Sequence, residues 1–455
     1  MHYLSTRNNK LKESFLHILF QGLSQEGGLF LPDSWPLIST DSLRGKSYQE
    51  IAHAVIHPYV KESISENELS SILIKTYKSF DHDNVAPLIK IEKNKYILEL
   101  FYGPTFAFKD YALQFLGNLF SHVMLNSNKK ITILGATSGD TGSAAIEAFK
   151  SKKNINVFIL HPHNMVSDVQ RRQMTTVADS NIHNIALEGT FDDCQKIVKT
   201  LFLDSEIQSQ TSLTAVNSIN WSRLIAQTVY YFWAYAQLDS KKISFIVPSG
   251  NFGNIFSARV AAFMGLPMDQ LYLVTNANDI LHRTITSGEM KKENVQQTHS
   301  PSMDIQVSSN FERQIFESVE RNSDELHHIM RSFLNTGQFI LSSKVVKDLQ
   351  SIYNSYSVSN EQILETIKNF NNKYNYLADP HTATGLYVLD GAQSDNPLVS
   401  LACAHPAKFG EAIEIATGLK PNFPEKIKNV FDKEEKFTIL KNNTEYIKKH
   451  ILKNL

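Results

Sequence analysis

Cysteine is nearly absent: Cys194 and Cys403 are the only two in a chain of 455 residues. A pair cannot build a disulfide scaffold or a multi-thiolate zinc site, so a reducing, cytoplasmic setting is expected. Charge of one sign is not in excess. Forty-five Lys and Arg against 46 Asp and Glu leave a formal charge of −1. That balance removes the electrostatic footprint of a nucleic-acid binder or a membrane-surface protein. Long apolar runs are missing too. The longest candidate, LIAQTVYYFWAYAQL at 224–238, carries Gln227, Thr228 and Gln237 and falls short of the roughly 20 residues a bilayer requires. It predicts a buried core helix. The opening MHYLSTRNNKLKESFLHILFQGL is broken by His17 and Gln21 and offers no signal-peptide core. Internal repeats and low-complexity tracts are also lacking. A hydrophobic content of 42% with 20% charged residues describes a globular chain, long enough for a large enzyme core.

What is present is one sentence repeated from about residue 130 onward: a β-branched run, a turn, then a helical stretch. KKITILG leads to SAAIEAFKSKK, NINVFIL to HPHNMVSDVQRRQM, and NIHNIALEG to FDDCQKIVKTLF. SLTAVNS, KISFIVPSG, QLYLVTNAN and LVSLACAHP are each followed by a helix in the same way. Strands apolar on both faces belong to parallel sheets covered by helices, so the fold class is α/β, open and doubly wound, with ligands at the strand carboxyl ends. The expected division is a mostly helical N-terminal domain at 1–95, a catalytic core at 96–420 and a solvated helical tail at 421–455. Within the core, a smaller lobe is placed at about 110–215 and a polar helical insertion at about 290–375.

Three loops can carry chemistry. GATSGDTG at 135–142 opens a helix after a strand, where backbone N–H groups and the hydroxyls of Thr137, Ser138 and Thr141 form an anion cradle. It lacks the Walker lysine and the GxGxxG spacing, and by itself reads equally well as an ordinary strand-to-helix turn. PSGNFGN at 248–254 repeats the arrangement, with Gly250 and Gly253 allowing close backbone approach. GPTFAFKD at 103–110 places Lys109 among Phe106, Phe108 and Tyr111. Desolvation there disfavours the ammonium and frees the amine for a Schiff base, although a lone lysine at a helix start more often merely snorkels. His161 and His163 lack neighbouring carboxylates or thiolates, and no metal is expected.

Taken together, GPTFAFKD, GATSGDTGSAA, VNSINWSR, VPSGNFGN and AHPAKF, in this order and at these spacings, closely resemble the threonine synthase family. Those are pyridoxal-phosphate enzymes of the tryptophan-synthase β-subunit, or fold type II, superfamily. QGLSQEGGLFLP, SPSMDI and DPHTATG extend the likeness along nearly the whole chain, most strongly toward the longer bacterial and fungal enzymes.

The resemblance implies that Lys109 forms the Schiff base with pyridoxal 5'-phosphate and acts as the catalytic residue. It implies that Gly250, Asn251, Phe252, Gly253 and Asn254 hold the cofactor phosphate. Thr137, Ser138 and Thr141 match the loop for the substrate carboxylate. Asp140 stands near the cofactor 3′-oxygen, where other superfamily members usually carry Asn, and is expected to influence protonation there. Asn217, Ser218 and Arg223 match a site for the substrate phosphate, which a guanidinium fork suits. Cys403 takes the position facing the pyridine nitrogen, where the family usually has Thr, or else it is a small buried hydrophobe. Asn164-Met165 replaces a cation that relatives often carry. His381 and His405 lie in family-like motifs without an assigned role.

The implied reaction converts O-phospho-L-homoserine and water into L-threonine and phosphate, by γ-elimination and β-addition of water. The chain is expected to act as a monomer, with a homodimer as the alternative, and with neither a nucleic-acid nor a membrane partner. A phospholyase releasing 2-oxobutyrate, ammonia and phosphate uses the same residues. A catalytically silent binding relative is disfavoured by the intact Lys109 and glycine loops, and a nucleotide-binding enzyme by the unmet Walker and Rossmann spacings.

Overall fold

The computed structural model describes residues 1–125 and 130–455. Two open sheets organise the chain. The larger runs Tyr353–Ser357, Met268–Thr275, Ile243–Pro248, Leu398–Ala402, Lys95–Glu99, Leu88–Glu92 in spatial order, parallel except for the last pair. The smaller is wholly parallel: Thr438–Lys441, Ile182–Glu188, Ile155–Pro162, Ile131–Ala136, Ser212–Thr214. Strand Ile243–Pro248 is buried at every position and Ile155–Pro162 at all but one. This is what a doubly wound α/β arrangement requires of its central strands.

The 224–238 run forms most of the helix Trp221–Ala236, in which every residue is buried. Two of its aromatic rings meet the N-terminal segment: Tyr59 packs on Trp221 with centroids 5.7 Å apart and Tyr48 on Trp233 at 5.5 Å. Trp233 Nε1 donates to Ala86 O at 2.6 Å. Among the described residues no helix is long and apolar enough to cross a membrane. The N-terminal helices Tyr48–Val60 and Glu66–Tyr77 each open with a capping box, Ser47 with Glu50 and Ser65 with Glu68. Beside them lies a three-stranded antiparallel sheet of Tyr3–Ser5, Asn8–Glu13 and Phe30–Pro32.

Two sequence expectations need correction. The polar stretch at 290–375 is not only helical: Tyr353–Ser357 leaves it to become an outer strand of the large sheet. The 421–455 tail is not a solvated helical appendage. Thr438–Lys441 pairs with Ile182–Glu188 as an edge strand, and Ile447 and Ile451 are buried in a cluster with Cys194, Ile197 and Leu201. Both strands sit at sheet edges with one neighbour each, so their sequences, YNSYS and TILK, carry no continuous apolar signature.

The helix Lys109–Met124 crosses the helix Asp140–Phe149 at Gly117, where a Cβ would stand 2.3 Å from Ala148 O. A close backbone approach of this kind admits only glycine. It sets the relative placement of the two helix starts, which carry Lys109 and Asp140. Replacing Gly117 with Ala should lower the thermal unfolding midpoint, at a cost of about 1–3 kcal/mol for overpacking. An unchanged midpoint would mean the helices separate freely.

Candidate active site

Every loop singled out in the sequence lies at the carboxyl end of a parallel strand. The Lys109 segment follows Lys95–Glu99, the glycine loop of Gly250 follows Ile243–Pro248, and Cys403 follows Leu398–Ala402. From the small sheet, the Thr137 loop follows Ile131–Ala136 and Asn217 follows Ser212–Thr214. Parallel strands thus deliver these segments to one crevice.

At its centre is Asp140. Its Oδ2 stands 3.5 Å from Lys109 Nζ, and its Oδ1 2.7 Å from Lys408 Nζ. Gln170 Nε2 donates to Oδ1 at 2.9 Å, and the Ser302 hydroxyl reaches Oδ2 at 3.4 Å. The Lys408 side chain is 0% exposed and also donates to Thr105 O at 2.8 Å. Burial works against the charge of Asp140, but Lys408 and Lys109 outweigh it and hold the carboxyl far below its ordinary range. Burial pushes the Lys109 amine below its usual range; Asp140 pulls it upward, while Lys408 and Arg223 push it down. The Lys109 ammonium also lies over the Phe108 ring, 4.8 Å from the centroid.

Cys403 is brought alongside. Phe108 N–H donates to Cys403 O at 2.8 Å, and Ala107 and Ala404 form an isolated bridge. Burial, with Asp379 nearby, pushes the thiol well above its ordinary range, so it stays neutral. Its backbone N–H donates to Thr382 Oγ1 at 2.8 Å. Asp379 caps the helix Pro380–Gly391, accepts from Thr382 Oγ1, and pairs with His381 Nδ1 at 2.7 Å. His381 Nε2 accepts the Ser302 N–H at 3.2 Å, which ties the SPSMDI loop to the site.

The helix Gly253–Phe263 begins without a side-chain cap, after Phe252 in the left-handed region at φ 60°. Its first N–H groups are therefore left without a side-chain cap among the described residues. A Cβ on Gly250 would lie 3.0 Å from Ile305 Cδ1 and 3.1 Å from Met303 Cα. The SPSMDI segment thus presses directly on this loop. Ser308 Oγ donates to Gly250 O at 2.8 Å and Asn310 N–H to Asn251 O at 3.1 Å. Asn254 Oδ1 accepts from Tyr230 and, at 2.7 Å, from Tyr231, while Asn254 Nδ2 is buried without a partner.

The remaining candidates divide. Ser218 abuts the same loop, 3.7 Å from a Cβ built on Gly253. Arg223 is buried, donates from Nη1 to Val216 O at 2.9 Å, and keeps Nε unpartnered; burial lowers its guanidinium to about 10. Ser138 and Thr141 are half-buried, whereas Asn217 is exposed. Thr137 turns back into its own loop, its Oγ1 accepting from Gly139 and Gly142 N–H at 3.0 and 2.8 Å. Asn164 adopts φ 62° and Met165 is 56% exposed. Sequence reasoning assigned nothing to Lys408, Gln170, Ser302, Asp379, Tyr230 or Tyr231. AHPAKF, SPSMDI and DPHTATG held the signal for three of them, Lys408, Ser302 and Asp379.

His405 begins the short turn that carries Lys408. Its Nδ1 accepts the Ala407 N–H at 3.2 Å, and its ring meets Phe101 and Phe106. Burial lowers it to about 4. A base depressed in the folded state stabilises fully above its unfolded value near 6.5 and loses that contribution as pH falls toward 4. The whole chain should therefore lose about 3 kcal/mol of stability across that window from this residue. His405→Gln should flatten the acid limb of an unfolding-midpoint titration. An identical acid limb would contradict this.

Comparison with known proteins agrees along the whole chain. Residues 2–77 match the family model described as threonine synthase N terminus, residues 81–343 that of pyridoxal-phosphate dependent enzymes, and residues 382–451 that of threonine synthase, C-terminal. The chain is similar to threonine synthase of Pseudomonas aeruginosa, 44% identical, with 97% of this chain and 96% of that protein covered. It is 40% identical to the Saccharomyces cerevisiae threonine synthase, covering 98% and 95%. The crystal structure of a PLP-bound threonine synthase from Brucella melitensis superposes with a TM-score of 0.96 at 42% identity, covering 100% of this chain and 99% of that one.

Proposed function

The chain belongs to the threonine synthase family, and we propose that it converts O-phospho-L-homoserine and water into L-threonine and phosphate. It is a pyridoxal-phosphate-dependent lyase of fold type II. The observation that carries the assignment of roles is the buried meeting of Lys109, Asp140 and Lys408 beside an uncapped helix start.

The residues present fit the cofactor. The uncapped N–H groups of Gly253–Phe263 and the unpartnered Asn254 Nδ2 offer donors to a phosphate, and the helix dipole favours the anion without a cationic side chain. Pyridoxal phosphate supplies, when bound, an electron sink for charge developing on the substrate's α and β carbons. Lys109 Nζ is the group that holds and moves protons. Its depressed basicity keeps a fraction of the amine neutral, able to take the proton from the substrate α-carbon and, once that proton has been handed on, the proton from the β-carbon. Asp140, charged at all ordinary pH, steadies the ammonium that results.

Cys403 offers the pyridine nitrogen a neutral thiol. A thiol pushed high by burial carries no charge and would leave that nitrogen unprotonated. Ser138 and Thr141 take the substrate carboxylate at the start of the helix Asp140–Phe149, with Thr137 shaping the loop. Ser218 and the free Nε of Arg223 take the substrate phosphate, and Asn217 stands at the rim. Arg223 is a buried cation with a single hydrogen-bond partner among the described residues, the Val216 carbonyl, which fits an awaited dianion. We assign the protein to a reducing compartment, the cytoplasm, which its two free, buried cysteines support.

Incubated with phosphohomoserine and pyridoxal phosphate, the protein should release threonine and phosphate one for one. Release of 2-oxobutyrate and ammonia would instead assign it to the phospholyase reading. Lys109→Ala should cut threonine formation by about 10²–10⁴-fold or more, and undiminished turnover would remove Lys109 from the proton transfers.

A further inference from the structure

Asp140 is a carboxylate that faces the reactive amine directly. Alone, a buried carboxylate 3.5 Å from Lys109 Nζ would hold that amine protonated, and so unreactive. The structure places a second cation on its far side. Lys408 Nζ sits 2.7 Å from Asp140 Oδ1, and its only other polar partner among the described residues is the Thr105 carbonyl at 2.8 Å. Neither lysine shares a sequence neighbourhood with the other. Lys109 begins a helix after one strand of the large sheet, and Lys408 lies in the turn after another.

We propose that Lys408 is a positioning residue that neutralises Asp140, so that Lys109 can exist as a free amine at neutral pH. With Lys408 charged and Asp140 ionised, the pair presents almost no net charge to Lys109. The nearer carboxylate oxygen then orients the amine without fixing its proton. Gln170 Nε2, also on Oδ1, and the Ser302 hydroxyl, on Oδ2, complete the carboxylate's partners and prevent it from turning wholly toward Lys109. The other groups facing Lys109 are Arg223, which opposes its protonation, and Cys403, which is neutral; His381 faces Asp140 from the helix Pro380–Gly391, and Tyr230 faces Arg223. None of these contacts Asp140 as closely as Lys408 does. The burial of Lys408 also has a reason in this role, since an unpaired ammonium with no exposed surface would be prohibitively costly.

The inference rests on the assignment of Lys109 as the reactive amine, but its test does not need turnover. In the cofactor-free full chain, competitive acetylation with acetic anhydride, read at the Lys109 peptide by mass spectrometry across pH, reports the fraction of neutral amine. Lys408→Met should raise the Lys109 midpoint by about one pH unit or more, whereas Lys408→Arg should leave it near that of the parent. Asp140→Asn should lower it. An unmoved midpoint in a Lys408→Met protein with normal circular dichroism overturns the proposal and leaves Lys408 as a tie to Thr105. If that variant does not fold, Lys408→Met with Asp140→Asn removes the whole pair. A midpoint close to the parent's then supports mutual neutralisation, and a fall as large as that of Asp140→Asn alone overturns it. A normal titration shift in a protein that makes no threonine would fault the reaction assigned above, not this role.

Discussion

One buried carboxylate between two lysine side chains is the constraint around which the crevice is built. Asp140 belongs to the small sheet's first helix, while Lys109 and Lys408 come from loops after two strands of the large sheet. The pairing therefore spans the two lobes. Removing such charges from water is expensive and is recovered only with close geometry and complete hydrogen bonding. That demand accounts for the company Asp140 keeps: the Gln170 amide, the Ser302 hydroxyl and the Lys408 ammonium all converge on its two oxygens. The glycine at 117 serves the same end at a distance, since it permits the close helix crossing from which Lys109 and Asp140 both project.

Anions are handled by a different device. The chain carries a net charge of −1, yet its reaction involves the cofactor's phosphate and the substrate's. An uncapped helix start, glycines that let the neighbouring SPSMDI loop press close, and one buried arginine are the local features proposed above to meet those charges. Local dipoles are strong where water is excluded and are cancelled at long range. A near-zero net charge therefore says nothing against two phosphates.

Much of this was legible in the sequence because parallel strands announce themselves. Runs such as ISFIV and NVFIL are apolar without alternation, and the glycine-rich turns after them mark strand ends. Residues whose role depends on what faces them were not legible. Lys408 looks like an ordinary lysine in AHPAKF, and only the fold shows that its ammonium meets Asp140, 268 positions away in number and on the other sheet's helix. Asp379 and His381 similarly act by pinning Ser302, which no local spacing reveals. The edge strands Tyr353–Ser357 and Thr438–Lys441 escaped notice for the opposite reason: half of each faces outward, so polarity hides the strand.

Two lysines lie within reach of the same carboxylate, and the account depends on which of them is the reactive one. Borohydride reduction of the cofactor-loaded protein, followed by digestion and mass spectrometry, distinguishes them directly. The phosphopyridoxyl group should be found on the peptide bearing Lys109 and absent from the peptide bearing Lys408. Label on Lys408, or on neither, would contradict the assignment of the crevice.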